Sequence, residues 1–296
     1  MAAHEQPINI FKSALERDVS TGIAAIQGLM QVLRQSGAKT LQELIELLKS
    51  EAVKFKEVDC SVIAVTSACE LFLRFITLAH TQLESQDFAT CLTLMLDRGT
   101  HFLAKLDVSG EKISQGFQPF LQDGDKVLVH GRSRIVLSAL VRAARSGVEF
   151  QVYLTRSSGE KLKKRMDAEN ISCILVEDMG IGYIINQIDC VLLGAEGVCE
   201  SGGIVNQLGS LPVAIVANKY NKPVYTLVES FKFVRLYPLT QEDIPIEYQY
   251  PGGRKDDATC SPRLDYTPPS LLTLLFTDLG ILTPSAVSDE LINLYL

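Results

Sequence analysis

No run of uncharged apolar residues in this chain approaches the roughly 18 that a membrane-spanning helix needs, so a helical membrane anchor is not expected. The first residues, MAAHEQPINIFK, lack a basic start leading into an apolar core, so they do not read as a secretory signal. Histidine is scarce, with 4 in the chain. The 7 cysteines (Cys60, Cys69, Cys91, Cys173, Cys190, Cys199 and Cys260) include no CxxC spacing. An odd number of cysteines, most of them set in apolar runs, reads as buried thiols in a reducing compartment rather than as a disulfide framework. With no histidine near a cysteine pair, no zinc site is expected. Internal repeats and low-complexity tracts are absent. The net charge of -7 disfavours nucleic acid as the main partner. These absences describe a cytosolic chain with no metal, no membrane and no direct nucleic-acid partner.

What is present is a globular composition, 47% hydrophobic and 21% charged over 296 residues, enough for one large domain or two ordinary ones. Residues 1–122 are helical in pattern. Ile8 to Asp18 is short and amphipathic, and Ile23, Ile26, Leu29, Met30 and Leu33 recur at helical spacing. Thr40-Leu-Gln-Glu43 is a capping box, with Leu41, Leu44, Ile45 and Leu48 marking the buried face of the helix it opens. Ser61 to Leu83 and Phe88 to Leu106 read as two longer helices. The pattern changes at Gln122-Asp-Gly-Asp125, and from there strands and helices alternate. Strands are expected at Lys126–His130, Phe150–Leu154 and Ser172–Val176. Helices are expected at Ser133–Ser146, Lys161–Glu169 and Ile181–Gln187. Alternation at this pace implies right-handed crossovers and a parallel sheet covered on both faces. The fold class is therefore α/β: a helical N-terminal domain, residues 1–122, followed by a Rossmann-like doubly wound parallel-sheet domain, residues 123–296.

The run from Asp189 to Phe233 carries the most information. It reads as a doubly buried strand (Asp189 to Leu193), a glycine-rich turn (Gly194, Gly197, Gly202, Gly203), a helix from about Ile204 to Lys219, and a strand from Val224 to Val228. Ligands of such units lie beyond the carboxyl ends of the strands. Tyr237 to Pro269 reads as a polar surface excursion, and the apolar C-terminal run is expected to pack on the sheet or on a partner.

Three constellations carry chemistry. In Asp125-Lys-Val-Leu-Val-His-Gly-Arg-Ser-Arg134, a strand ends in His130-Gly131 and a helix begins near Ser133. There free amides with Arg132 and Arg134 form a candidate phosphate cradle. The alternative is a glycine turn with Ser133 as N-cap and two solvated arginines; no GxGxxG and no P-loop is present here. Glu196, with Asn206 and the Gly202-Gly203 turn, is a candidate general acid/base at a strand end; its alternative is an outward glutamate. His130 is a candidate partner for it, or a histidine that points into the packing. Glu70 and Arg74 form an i, i+4 pair that either closes a helix edge or faces a partner. Cys199, in the glycine-rich turn, lacks a basic neighbour in sequence to lower its pKa.

At GAEGVCESGGIVNQLGS (Gly194 to Ser210), ELFLRFI (Glu70 to Ile76), ESFKFVRLYPL (Glu229 to Leu239) and the run from Tyr266 to Leu296, the chain resembles a known superfamily. It groups the regulatory subunits of eukaryotic translation initiation factor 2B with methylthioribose-1-phosphate isomerase and ribose-1,5-bisphosphate isomerase. ESFKFVRL and the C-terminal run match its alpha-type branch. The resemblance implies a non-catalytic regulatory subunit of a guanine-nucleotide exchange complex. Such a subunit is a homodimer through the Rossmann-like domain, assembled with other subunits of initiation factor 2B. Its N-terminal helices help sense the phosphorylated alpha subunit of initiation factor 2 and turn exchange down. Thr40, Glu43, Phe72 and Arg74 are the candidate partner-facing residues. The isomerases use a cysteine at the tip of the first Rossmann strand, an aspartate in a GAD motif and a later Asn-Lys pair. Those positions fall here at Gly131, Glu196 and Asn206-Gln207, so nucleophile and lysine are both missing. No cofactor is implied. A sugar phosphate remains a candidate structural or regulatory ligand of Arg132, Ser133, Arg134, Glu196, Gly202, Gly203, Asn206 and Gln207. The rival reading is a ribose-phosphate isomerase that uses Glu196.

Overall fold

The structure is a computed structural model that describes residues 6–77, 87–250 and 261–295. The chain forms two compact units, Met1–Val108 with Leu294–Leu296, and Ser109–Asn293.

The first unit is helical: α1 (Pro7–Glu16), α2 (Thr21–Gln35), α3 (Leu41–Lys56), α4 (Val62–Thr77) and α5 (Phe88–Asp107). Helix α2 is the hub and packs against the other four. Its small residues Gly22, Ala24, Ala25 and Gly28 are buried and let its neighbours approach closely. At Gly28 an added Cβ would stand 2.6 Å from the Phe55 ring, and that ring stacks on Phe11 with centroids 4.8 Å apart. Phe72 and Phe75 pack on Phe102 of α5 at 5.8 and 5.1 Å. Thr40 caps α3 as expected, its Oγ1 accepting from the Glu43 amide at 3.2 Å. The returning bond lands one residue early, with Glu43 Oε2 accepting from the Lys39 amide at 2.9 Å. The expected helix from Ser61 is α4 as far as Thr77; its remaining residues, 78–83, lie outside the described residues, as do Cys260 and the stretch Pro251–Asp256.

The second unit opens with α6 (Ser109–Phe117) and a 3-10 turn, Gln118–Phe120. There follow β1 (Lys126–His130), α7 (Arg134–Arg145), β2 (Gln151–Thr155), α8 (Glu160–Ala168), β3 (Ser172–Val176), α9 (Ile181–Ile184) and β4 (Cys190–Leu193). Next come β5 (Gly197–Cys199), β6 (Ile204–Gln207), α10 (Ser210–Lys219), β7 (Val224–Leu227), β8 (Phe233–Val234) and α11 (Ile246–Gln249). The unit closes with β9 (Leu264–Thr267), β10 (Leu274–Thr277), β11 (Gly280–Leu282) and α12 (Val287–Tyr295).

Seven strands form one sheet in the order β11-β10-β7-β4-β1-β2-β3, parallel except for the antiparallel edge strand β11. The chain runs outward from β1 to β3, then returns past β1 to β4 and β7. With right-handed crossovers, that reversal puts α7 and α8 on one face and α9 and α10 on the other. The topological switch point therefore lies between β1 and β4. Its core joins Val127, Val129, Val152, Leu154, Leu192 and Phe276 of the sheet to Val136, Leu140 and Ala143 of α7. Helix α6 belongs to this core through Ile113 and Phe117. The expected boundary at residue 122 follows the first strand signal, whereas packing draws the helix before it into the sheet unit.

Two expectations for this unit need correction. Ile204 to Gln207 is not helix. It is β6, the central part of a second, four-stranded sheet ordered β8-β5-β6-β9; the helix starts only at Ser210. β-branched Ile204 and Val205 find antiparallel partners in both β5 and β9, which no local signal announces. The excursion Tyr237–Pro269 is not all loop, since it holds α11 and β9. The C-terminal run packs within its own unit, because β10 pairs parallel with β7.

Phe276 meets Phe117 at 5.2 Å, Phe120 at 4.9 Å and Tyr225 at 5.5 Å, all near edge-to-face. Phe276→Ala is expected to destabilise the second unit by about 3–5 kcal/mol, since ring contacts and burial are lost together. Chemical denaturation followed by far-UV circular dichroism measures it; a loss under about 1 kcal/mol would show that this cluster is not central to the sheet's stability.

Candidate functional site

The carboxyl ends of β1 and β4 frame the site. Strand β1 ends in His130, 2% exposed, and Gly131, whose φ of +87° suits glycine. The Gly131 N–H donates to Ser158 Oγ at 2.8 Å. Ser158 Oγ lies 2.7 Å from Thr155 Oγ1, which lies 2.9 Å from His130 Nδ1. His130 Nε2 lies 3.1 Å from the Leu208 carbonyl. A carbonyl only accepts, so Nε2 carries the proton and Nδ1 accepts from Thr155. Thr155 in turn accepts from Ser158, and Ser158 accepts from the Gly131 amide. Every donor in this chain has one acceptor, and the imidazole is neutral. Burial pushes the His130 pKa below its ordinary 6.5, against the opposing pull of the Gln207 and Leu208 backbone and the Asp178 charge. His130 is thus a satisfied core histidine and not a partner for Glu196.

The small sheet supplies the facing wall. Asn206 of β6 pairs directly with Asp265 of β9, and the β5–β6 register, continued by the Glu196 amide donating to the Val205 carbonyl at 2.9 Å, places Glu196 across from Asn206. Residues directly opposite share a face, so Glu196, Asn206 and Asp265 form a polar row. At its centre Asn206 looks toward Gly131, where an added Cβ would lie 3.4 Å from Asn206 Nδ2 and 3.7 Å from Gln207 Cβ. Asn206 Nδ2 donates to Ser210 Oγ at 2.9 Å, and Gln207 Nε2 donates to the Ser157 carbonyl at 3.0 Å. Asp265 is 6% exposed. Its Oδ2 accepts from the amides of Gly209 (2.8 Å) and Leu211 (3.1 Å) at the start of α10. Burial outweighs those bonds and pushes its pKa up to about 6.

Other expected site residues are distributed as follows. Ser133 is the N-cap of α7, its Oγ accepting from the Val136 amide at 3.3 Å. Gly194 lets the β4 tip close on it, since a Cβ there would stand 2.6 Å from Ser133 Oγ. Arg132 is exposed beside this turn and Arg134 is half-buried in the first turn of α7. Gly202 and Gly203 do not join the site. They form the β5–β6 turn, and their amides are already used, Gly202 donating to the Cys199 carbonyl at 2.8 Å and Gly203 to Ser201 Oγ at 3.4 Å. A Cβ on Gly203 would meet the Thr267 carbonyl at 2.8 Å, so this glycine serves close packing and not a phosphate. Cys199 is buried in β5, and burial pushes its thiol up to about 12, far from a thiolate nucleophile. In the helical unit Thr40 and Glu43 are exposed and Arg74 is half-buried. Phe72 is fully buried, so it holds the core and does not face a partner.

Several residues escaped the sequence reading. Beyond β7, Glu229 is 4% exposed, with Oε2 3.0 Å from Lys232 Nζ; that ammonium also donates to the Ala195 carbonyl at 2.9 Å, tying the β7 tip to the β4 tip. The available signal was an i, i+3 charge pair inside an apolar run, VESFKFV. Asp265, Thr155 and Ser158 gave no local signal. Among the described residues, no cluster of metal-ligating side chains occurs, and no helix is long and apolar enough to cross a membrane.

A helical unit followed by a doubly wound sheet, with a small mixed sheet laid over its switch point, defines a class of α/β proteins with a crevice at the β1 and β4 tips. The chain belongs to the Initiation factor 2 subunit family, whose model matches residues 16–284. It is 42% identical to "Translation initiation factor eIF2B subunit alpha" of Dictyostelium discoideum, over 95% of this chain and 93% of that one. It is 36% identical to the Caenorhabditis elegans protein of the same name, over 99% of each. "Ribose 1,5-bisphosphate isomerase" of Methanocaldococcus jannaschii is 25% identical over 64% of this chain and 65% of its own. Among solved structures, a chain of the tetrameric eIF2B-beta2-delta2 complex from C. thermophilum shares the fold, with TM-score 0.79 and 21% identity over 98% of this chain and 94% of that one.

A folded-state pKa below 6.5 at His130 means that the unfolded chain binds more protons as pH falls, so the histidine's contribution to stability is lost below about pH 6.5. Asp265 runs the other way: its raised pKa favours the folded state at low pH, and that advantage is lost as pH rises from about 4 to about 6. Asp265 is present in both wild type and His130→Gln, so its contribution largely cancels in the difference. The stability gap between the two chains is expected to shrink as pH falls from about 7.5 to 5.5. Denaturant midpoints across that range measure it; a constant gap would mean that His130 is not held neutral.

Proposed function

We propose that this chain is a non-catalytic regulatory subunit of the guanine-nucleotide exchange complex that serves translation initiation factor 2. In this reading it is a homodimer that bridges the complex by assembling with the other subunits of initiation factor 2B. Its N-terminal helices help detect the phosphorylated alpha subunit of initiation factor 2 and reduce exchange, in the cytosol. The observation that carries the reading is Gly131. The position where the resemblance puts the isomerases' cysteine has no side chain, its amide is taken by Ser158, and it looks onto two neutral amides, Asn206 and Gln207. The cysteine and the lysine that the resemblance assigns to the isomerases are both replaced there. Membership of the initiation factor 2 subunit family supplies the positive half of the argument. The exposed Thr40 and Glu43 cap at the head of α3, and Arg74 of α4, remain the candidate contacts for the sensed partner.

The test is GDP release from initiation factor 2, phosphorylated and unphosphorylated, with the remaining exchange subunits. Adding the chain is expected to make the phosphorylated factor inhibitory, and Glu43→Lys or Arg74→Glu to blunt that response while assembly persists. If the chain changes neither rate, the regulatory reading falls.

A second reading is favoured by the polar row. Glu196 and Asn206, the latter beside Gly131 in the turn that bears Arg132 and Ser133, suit the hydroxyls, and Arg132 the phosphate, of a sugar phosphate held as a structural or regulatory ligand. A pentose phosphate at about 100 times its Kd is expected to add about 2.7 kcal/mol of stability. This appears as a rise in Tm that is lost in Arg132→Ala and comes without turnover. An unmoved Tm rejects the site; turnover of a pentose 1-phosphate that Glu196→Gln abolishes would instead revive the isomerase reading.

A further inference from the structure

In the second unit α6 packs across β10 and β11, and a pocket of about 200 Å³ opens between them. Two glycines in its wall leave the space. An added Cβ on Gly116 of α6, or on Gly280 at the start of β11, would meet no neighbouring element within 4 Å. Gly280 has a φ of +136°, which other residues rarely adopt, so the turn itself keeps this wall bare. Thr277 Oγ1 holds the turn closed by donating to the Gly280 carbonyl at 2.8 Å. The floor is apolar. Ile281 pairs directly with Phe276, so their side chains share one face of the sheet edge. Phe276 and Ile113 are each 1% exposed, whereas Ile281 is left 45% exposed beside them.

The pocket carries one charge of each sign, Lys112 and Asp278. Lys112 is exposed on α6 and pairs with no acidic side chain among the described residues, its neighbour Glu111 being taken by Arg142 at 3.4 Å. Asp278 is held in place from beyond β7: Oδ1 accepts from the Ser230 amide at 2.7 Å and Oδ2 from the Ser230 hydroxyl at 2.9 Å. Each carboxylate oxygen has room to accept a second bond. Two opposite charges that line one pocket without neutralising each other suit a ligand that carries both. Size narrows the class further. An apolar cavity of about 150 Å³ holds benzene, so in proportion this pocket takes roughly eight non-hydrogen atoms, the size of free valine. Drug-sized ligands need about 300 Å³ or more. A small zwitterion with an apolar side chain meets all three conditions: a carboxylate for Lys112, an ammonium for Asp278 and a side chain for the apolar floor.

We propose that this pocket binds a free α-amino acid with an apolar side chain, its carboxylate on Lys112, its ammonium on Asp278 and its side chain over Ile113, Phe276 and Ile281. The site shares no residue with the crevice at the β1 and β4 tips and stands independently of the regulatory reading. Isothermal titration calorimetry on the full chain tests it with L-valine and L-leucine, each beside the acid that lacks its ammonium and the amine that lacks its carboxylate. At least one of the two amino acids is expected to bind in the millimolar range or tighter. Its two single-charge analogues are expected to bind about tenfold more weakly, each lacking one charge-assisted contact. Gly116→Leu fills the pocket from a helix position that favours leucine over glycine. It is expected to abolish binding with unchanged far-UV circular dichroism, and Lys112→Met to weaken binding about tenfold. Wild type that binds neither amino acid at millimolar concentrations overturns the proposal. So does binding that Gly116→Leu leaves intact, or an analogue that binds as tightly as its amino acid. Should Gly116→Leu lose its fold, Lys112→Met decides, and an unchanged affinity there overturns the site. None of these results bears on the GDP-release assay, which decides the regulatory reading by itself.

Discussion

The rest of the second unit depends on how the β1 tip satisfies its own backbone. A doubly wound sheet opens a crevice where its winding reverses, and the amide at the tip of the first strand is the natural donor to a ligand there. In this chain that amide is spent internally, passed through Ser158 and Thr155 to the His130 ring and on to the Leu208 carbonyl. One connected path of hydrogen bonds thus pins β1, the loop after β2 and the end of β6 together. Its low-dielectric setting makes each link costly to leave unmade. The path also settles the histidine's tautomer and charge, and with them its exclusion from acid–base chemistry.

The small four-stranded sheet follows from that closure. Its strand β6 carries Asn206 and Gln207 to the crevice, and β9 brings Asp265 to cap the start of α10. The outer edge of β9 is closed by a side chain: Gln241 donates to the Tyr266 carbonyl at 2.6 Å and accepts from its amide at 2.8 Å, as a neighbouring strand would. An edge satisfied in this way does not recruit another strand. Glycines at the β5–β6 turn allow the close packing that the arrangement needs, which explains their number in a stretch that reads locally like a phosphate loop.

The crevice at the β1 tip is furnished with the neutral amides of Asn206 and Gln207. Large exposed apolar side chains are spread over both units, Met179, Tyr183, Leu239 and Val53 among them.

Much of this was legible in the residues. Apolar periodicity and turn chemistry located β1, β3, β4 and β7 to within a residue, and the helices of the first unit nearly as closely. Patterns of period 3.6 and 2 are written locally and need no partner to be read. The glycine turn after β1 and the Ser133 N-cap of α7 were likewise visible. What tertiary structure decided was every feature that depends on a distant partner. Ile204 to Gln207 is strand because β5 and β9 flank it. Phe72 is core because Phe102 meets it. Gly202 and Gly203 are crowded by residues more than sixty positions away, which local spacing cannot show. The buried pair of Glu229 and Lys232 and the shifted carboxylate of Asp265 arise in the same way. Sequence specifies which residues are present and their local rhythm; only the fold determines what lies opposite each one, and burial and pairing follow from that.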